Sequence, residues 1–479
     1  MPRALAVLVL VVAGGAAVLV THGSKTHSWP RANGDLASRR AADATIGSSL
    51  RVAWRFPLPK AATTFGAITA NPVIADDTVY VQDSASSVYA LDARTGALRW
   101  RHREAAPNDG PNGVTVDAGR VYGATDTTAF ALDASTGEVL WSRRLVNRFE
   151  QFVGISPVVD RGRVYLSTQG FPLGGRGALY ALSARTGKVV WRFATIAAPW
   201  PHPDAGGGGA WYPVSIDERG NVYVGISNPA PWGGSIRYPN GAEFGGRALY
   251  TDSLLVLAGA TGKLLWYDQV TRHDVRDYDF EDSPILAGPF VFGAGKAGRV
   301  LAWNRATHAR VWSRAVGTHL HDLGPLPRQT TTVCPGHLGG VLTPMAYAKG
   351  RLYVPVVELC SQESAITTPN AFARDPAQGR GVLYALDSAT GKTVWRRQLA
   401  APPFACATAT RDGVVVPTFD GYVTVYSASA GRTMFRTRLS DGINACPAVG
   451  DGLLVVAAGA PYKGIANPVP EIVAYSVRG

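Results

Sequence analysis

YALDARTGALRW, at residues 89–100, decides the fold, because near copies of it return along the chain: FALDASTGEVLW at 130–141, YALSARTGKVVW at 180–191 and YALDSATGKTVW at 384–395. Three weaker copies keep the plan: LVLAGATGKLLW at 255–266, LAWNRATHARVW at 301–312, and a last one in which Ala430, Gly431 and Phe435 stand for Thr, Gly and Trp. Recurrence of this kind marks a repeat architecture. Each copy alternates apolar residues, breaks at a Gly-containing turn and resumes with apolar residues, which is the pattern of a β-hairpin. A further short apolar run precedes most copies, TVYV at 78–81 or RVYL at 163–166, so the unit is an antiparallel sheet of about four strands.

The closing aromatics are Trp54, Trp100, Trp141, Trp191, Trp266, Trp312, Trp395 and Phe435, which makes eight units. Trp54 has no turn motif before it, and the C-terminal run IVAYSV at 472–477 has no closing aromatic after it. The two halves complete each other. The sequence therefore predicts an all-β, eight-bladed β-propeller whose N-terminal strand pairs with the C-terminal sheet and closes the ring, leaving no unmatched edge. A large ring at one fixed place per blade reads as packing between sheets, not as chemistry.

Most closers are 40 to 50 residues apart, but Trp191 to Trp266 spans 75 and Trp312 to Trp395 spans 83. A blade needs about 40 to 50 residues. The excess must form loops, and long loops in compact domains carry sites.

Hydrophobic residues at 46% supply a core, while 54 Gly and 32 Pro favour turns over long helices. Arg3 precedes an apolar run over residues 4–20, long for a signal core and at the lower limit for a membrane span. Residues 1–27 are thus expected to be a signal peptide or an N-terminal membrane anchor, with 28–479 forming the propeller outside the cytoplasm, secreted or tethered through residues 4–20. Four cysteines suit an oxidising compartment. Cys406 lies eleven residues after Trp395 and Cys446 eleven after Phe435, equivalent places on neighbouring blades, so they are expected to pair, as are Cys334 and Cys360. The net charge of +12 can steer an anionic surface or an acidic redox partner. No basic run is interleaved with aromatics, which argues against nucleic acid.

The repeat with its Thr-Gly turn and tryptophan resembles the tryptophan-docking motif of the pyrroloquinoline quinone (PQQ)-dependent alcohol dehydrogenases, the quinoproteins. The opening WPRANGDL at 29–36 is similar to that family's start of the mature chain. The resemblance implies roles for particular residues. Trp211, after the glycines at 206–209, takes the place of a Trp that stacks on the quinone. Asn228, in NPAPW at 228–232, takes the place of a metal-binding Asn. In HDVRDYD at 273–279, Asp277 stands at the catalytic base and metal ligand, and Asp279 where some members, lanthanide-dependent ones included, carry an extra metal-ligating Asp. Lys296 stands where a Lys or Arg approaches the quinone oxygens. The residue chemistry agrees: an aromatic face suits a flat tricyclic cofactor, and amide and carboxylate oxygens suit calcium or a lanthanide.

Departures are equally specific. The family's metal-binding Glu aligns with Pro172, and Glu243, in a second GAEFG at 241–245, belongs to a different blade. No adjacent cysteines exist, an expected Arg aligns near Asn112, the Trp before the catalytic Asp is Arg276, and an expected Asn-Trp is Leu342-Thr343. The absence of Cys-x-x-Cys-His excludes a fused c-type haem. The resemblance thus implies oxidation of a small alcohol or sugar hydroxyl, with electrons leaving to a separate acceptor. A non-catalytic propeller serving as a cell-envelope interaction scaffold is the alternative, since scaffolds share the repeat.

Overall fold

The computed structural model describes residues 28–60, 66–104, 106–108, 110–147, 151–170, 175–197, 206–230, 232, 248–272, 274–366 and 375–478. Each repeat folds as expected. Blade 1 comprises Val73–Ala75, Thr78–Gln82, Val88–Asp92 and Leu98–His102, paired antiparallel in that order from the central channel outwards. Among the described residues seven such sheets have four strands, and blade 3 gains a fifth, Gln151–Val153. The outermost strands of blades 2 to 7 are Val139–Arg144, Val189–Ala194, Leu264–Gln269, Arg310–Ala315, Thr393–Leu399 and Thr433–Arg438. Blade 8 is composite. Ala448–Gly450, Leu453–Ala458 and Glu471–Ser476 come from the C-terminal end, and Arg51–Pro57 pairs against Glu471–Ser476 as the outermost strand. This pairing closes the ring.

The repeat motif explains itself at the blade interface. In blade 1, Asp92 Oδ1 accepts from the backbone N–H and hydroxyl of Thr95, holding a turn in which Gly96 adopts a left-handed backbone. Trp54 of the preceding sheet lies against that glycine and donates from Nε1 to Ala93 O at 2.7 Å. The same bond joins Trp100 to Ala134, Trp141 to Ala184, Trp191 to Gly259, Trp312 to Ser388 and Trp395 to Ala428. Each indole is therefore docked on the turn of the next blade. The degraded copies are variants of this contact: His308 replaces the glycine at φ 62° and stacks its ring on Trp266 at 4.7 Å, and Phe435 meets Tyr475 of the turnless blade 8 edge-on. The outermost strands carry arginines, Arg99 and Arg101, Arg143 and Arg144, Arg396 and Arg397 among them. Charges on these exposed strand edges discourage pairing with other chains.

The segment around WPRANGDL closes one end of the channel. Trp29, Pro30, Leu36, Ala37, Arg39 and Arg40 exchange backbone hydrogen bonds with Ile74, Val116, Ile216, Leu286, Tyr347 and Ala409, which lie on the innermost strands of blades 1, 2, 4, 5, 6 and 7. Arg40 is fully buried, and its guanidinium donates to Ala407 O, Ala32 O, Asn33 Oδ1, Thr408 Oγ1 and Pro447 O. Both expected disulfides are present, Cys334–Cys360 and Cys406–Cys446. Residues 1–27 lie outside the described residues, among which no helix is long and apolar enough to cross a membrane.

Two glycines separate the contributions to the indole contact. A Cβ on Gly187 would lie 2.5 Å from Trp141 Cε3, whereas one on Gly162, also at positive φ, would meet nothing within 4 Å. Gly162→Ala is expected to cost about 1 kcal/mol, the penalty of the left-handed backbone alone. Gly187→Ala is expected to cost roughly 2–4 kcal/mol, because the indole must also shift. Thermal melts of the two variants check this, and equal shifts would show that the glycine is selected by backbone conformation only.

Candidate active site

Antiparallel four-stranded blades segregate their connections. The Thr-Gly turns join third to fourth strands and lie on one face. Connections from the outermost strand to the next blade, and from second to third strands, lie on the other. A cavity of about 720 Å³ opens there, and its wall includes Asp126, Phe152, Trp211, Glu281, Lys296, Thr343, Phe404, Phe419 and Cys446, all but Phe152 of the extra blade 3 strand on a connection of the second kind.

Glycines let the Trp211 loop into place. Gly206–Gly207 pairs with Pro229–Ala230, and Ser227 N donates to Gly209 O. A Cβ on Gly209 would sit 2.3 Å from Thr168 O, so no larger residue fits this crossing. The strand Asn221–Gly225 then delivers Asn228 beside the loop that carries Trp211, whose ring packs against Phe152 at 5.5 Å.

Between the outermost strand of blade 4 and the innermost of blade 5, Asp274 accepts from Arg276 N at 3.0 Å and Tyr278 N at 2.8 Å. This side-chain turn fixes the loop, and Asp277 takes a left-handed φ of 61°. The four polar residues singled out from the sequence do meet. Asn228 Nδ2 donates to Asp277 Oδ1 at 2.8 Å, Asn228 N donates to Asp279 Oδ1 at 2.8 Å, and Lys296 Nζ lies 3.0 Å from Asp277 Oδ2 and 2.5 Å from Asp279 Oδ2. Lys296 is delivered by a tight connection in blade 5: its N–H donates to Asp279 O, and a Cβ on Gly295 would collide with the same carbonyl at 2.1 Å.

The site is buried and rich in carboxylates. Lys296 is 7% exposed, Asp279 1% and Glu281 5%. Burial disfavours the Lys296 charge, yet Asp277, Asp279 and Glu281 outweigh it and hold the ammonium well above the ordinary lysine range. Burial pushes Asp252, Asp277, Glu281 and Asp282 well above the usual carboxylate range, and Asp274 up to about 6. The sequence assigned no role to Glu281 and none to Asp252, which is fully buried with neither carboxylate oxygen hydrogen-bonded among the described residues. Burial without a partner leaves no trace in residue spacing.

The donor set fits a hard cation. Asp277, Asp279 and Asn228 offer oxygen ligands, and the surrounding carboxylates outnumber the ammonium of Lys296, the one Lys or Arg in the cavity wall among the described residues. Among the described residues no three acidic, imidazole or thiol side chains gather as a ready metal site, and the Lys296 ammonium contacts both Asp277 and Asp279. The cavity size and the Trp211 face fit a flat quinone. Other expectations resolve differently. Pro172, Glu243 and His273 lie outside the described residues. Arg276 turns away from the cavity, donating from Nε to His321 O, and Asn112 Nδ2 donates to Val153 O. Leu342 and Thr343 do line the cavity.

Known proteins resemble the chain to different extents. The family model described as outer membrane protein assembly factor BamB matches residues 108–329 and 379–467, and that described as glucose/ethanol/alcohol dehydrogenase, beta-propeller domain, matches residues 43–122. The quinohemoprotein alcohol dehydrogenase ADH IIB of Pseudomonas putida is 31% identical over 277 residues, covering 51% of this chain and 39% of that protein. The quinoprotein alcohol dehydrogenase PedH of Pseudomonas putida is 26% identical over 79% of this chain and 76% of its own length. The crystal structure of the quinohemoprotein alcohol dehydrogenase from Comamonas testosteroni superposes with a TM-score of 0.80 at 23% identity, over 95% of this chain and 81% of that one, a likeness of fold. With more than half of its length matched by one of these family models, and with quinoprotein alcohol dehydrogenases as its relatives in sequence, the chain belongs to the PQQ-type eight-bladed β-propeller family.

Proposed function

We propose that the propeller, residues 28–479, binds pyrroloquinoline quinone with calcium or a lanthanide in this cavity and oxidises a small alcohol or sugar hydroxyl outside the cytoplasm. The observation that carries the reading is the contact of Asn228, Asp277, Asp279 and Lys296 at 2.5 to 3.0 Å, in a cavity whose wall includes Trp211. An interaction scaffold has no use for a lysine and three carboxylates buried together in its channel. Export is supported by the apolar run at residues 4–20, read as a signal or anchor, and by two disulfides.

When bound, the quinone supplies a two-electron, hydride-accepting centre, and the cation polarises its reactive carbonyl. The chain supplies the rest. Asp277 and Asp279 with the Asn228 amide oxygen hold the cation. Trp211, backed by Phe152, offers an aromatic face for the quinone plane. Asp277 takes the hydroxyl proton, its carboxylate lying in the polar cluster with Asn228 and Lys296. Lys296 stabilises negative charge that develops at the reduced centre. The apolar side of the wall, including Leu338, Leu342, Phe404 and Phe419, excludes water from the reaction. Electrons leave to a separate acceptor. The description of the matching family model favours a second reading, a cell-envelope interaction scaffold.

Purified protein supplied with PQQ and either calcium or lanthanum is expected to reduce an artificial dye in an alcohol-dependent manner; no activity with either metal leaves the scaffold reading. Asp277→Asn is expected to keep the quinone bound, seen as quenched tryptophan fluorescence, while turnover falls about 10²–10⁴-fold. Unchanged turnover would remove Asp277 as the base. Lys296→Met leaves Asp277 and Asp279 buried without their cation, at a cost of about 3–5 kcal/mol. Its melting temperature without metal should fall, and added calcium or lanthanum should raise it more than it raises the wild-type value.

A further inference from the structure

Glu281 lies in the cavity wall, is 5% exposed, and its Oε1 is buried with no hydrogen-bond partner among the described residues. A carboxylate oxygen left this way loses its hydration and recovers nothing, so such groups need a ligand or a proton. The surrounding charge points to a ligand. The one ammonium in the wall, that of Lys296, already lies within 3.0 Å of Asp277 and 2.5 Å of Asp279, and Glu281 adds a third carboxylate acting on it. The neighbouring hydroxyl, that of Tyr212 in the same wall, makes no hydrogen bond to Oε1. A carboxylate oxygen accepts hydrogen bonds or binds a cation, and Oε1 has neither partner among the described residues.

We propose that Glu281 is a direct ligand of the cation held by Asp277, Asp279 and Asn228, supplying a carboxylate oxygen that proline at position 172 cannot. The inference rests on the cation half of the proposed function. Residues 277, 279 and 281 then contribute three carboxylates from one short stretch of chain, which favours a cation of high charge over a singly charged one. Cation and ammonium repel, so binding releases Lys296 from Asp277 and Asp279 and frees it to face the quinone. Glu281 is in this scheme a metal ligand.

Europium(III) titrated into the purified protein without quinone tests this, because its luminescence lifetimes in H₂O and D₂O count the water molecules bound to the metal. The expected result is a protein-bound europium in the wild type, one additional bound water in Glu281→Gln, and weaker binding by about tenfold or more. Glu281→Ala, counted in the same way, serves if the Gln variant does not fold, and circular dichroism establishes folding for each. An unchanged water count in a folded variant overturns the assignment of Glu281, and alcohol-dependent dye reduction persisting in the wild type shows that the proposed function stands without it. Failure of the wild type to bind europium overturns the assignment together with the cation site. Dye reduction by PQQ with calcium then decides separately whether the dehydrogenase reading survives.

Discussion

Everything in this molecule hangs on one contact repeated around a ring: an indole N–H of one blade donating to the turn carbonyl of the next, with the ring face laid on a glycine that has no Cβ to obstruct it. A single bond of this kind contributes about 1 kcal/mol. Its effect is larger than its energy, because it fixes the angle at which successive sheets meet, and eight equal angles must add to a closed circle. The blade lacking a Thr-Gly turn is the one assembled from both chain ends, where backbone pairing between Arg51–Pro57 and Glu471–Ser476 takes over the task. Where histidine replaces glycine at position 308, its ring stacks on Trp266, so the interface is kept by a different pair of surfaces.

The same hairpins decide where chemistry can be placed. Because the conserved-length turns occupy one face, length can vary only in the connections on the other, and the two oversized repeats spend their extra residues there. The segment at residues 29–40 closes the channel by bonding to six innermost strands, and Arg40 beneath it is saturated by five hydrogen bonds. The cavity is thereby left with a floor and a polar wall whose groups come from neighbouring blades locked at a set angle. Asn228 and Trp211 come from connections of blade 4, Asp277 from the link to blade 5, and Lys296 from blade 5 itself.

Fold and ring closure were legible in the sequence because both depend on local patterns: alternation, turn chemistry and one aromatic per repeat. The pairing of Cys406 with Cys446 was legible for the same reason, since equivalent positions on adjacent blades must be neighbours. The candidate site was legible only in part. Trp211, Asn228, Asp277, Asp279 and Lys296 could be singled out through resemblance, and the structure brings the last four into contact. Asp252 could not, because it enters the site through burial behind Ser227 and its nearest acidic neighbours are some twenty residues away in sequence. The inverted orientation of Arg276 was equally hidden: its partner, His321 O, belongs to the long connection before blade 6.

The polar cluster sets a conflict between folding and function. Asp252, Asp277, Glu281 and Asp282 are all pushed toward the protonated state by burial. Lys296 neutralises only part of this charge. Arg40, the nearest guanidinium to Asp282, has its donors engaged by the floor, and burial lowers its pKa to about 9. Buried charge of one sign destabilises a fold unless something offsets it. A ring closed by pairing of its two chain ends can carry that strain, and the proposed cation would relieve it. If the proposed cation binds there, stability of the apo protein and affinity for the cation are opposite readings of the same buried carboxylates: each additional acid placed around Lys296 weakens the empty fold and strengthens the filled one.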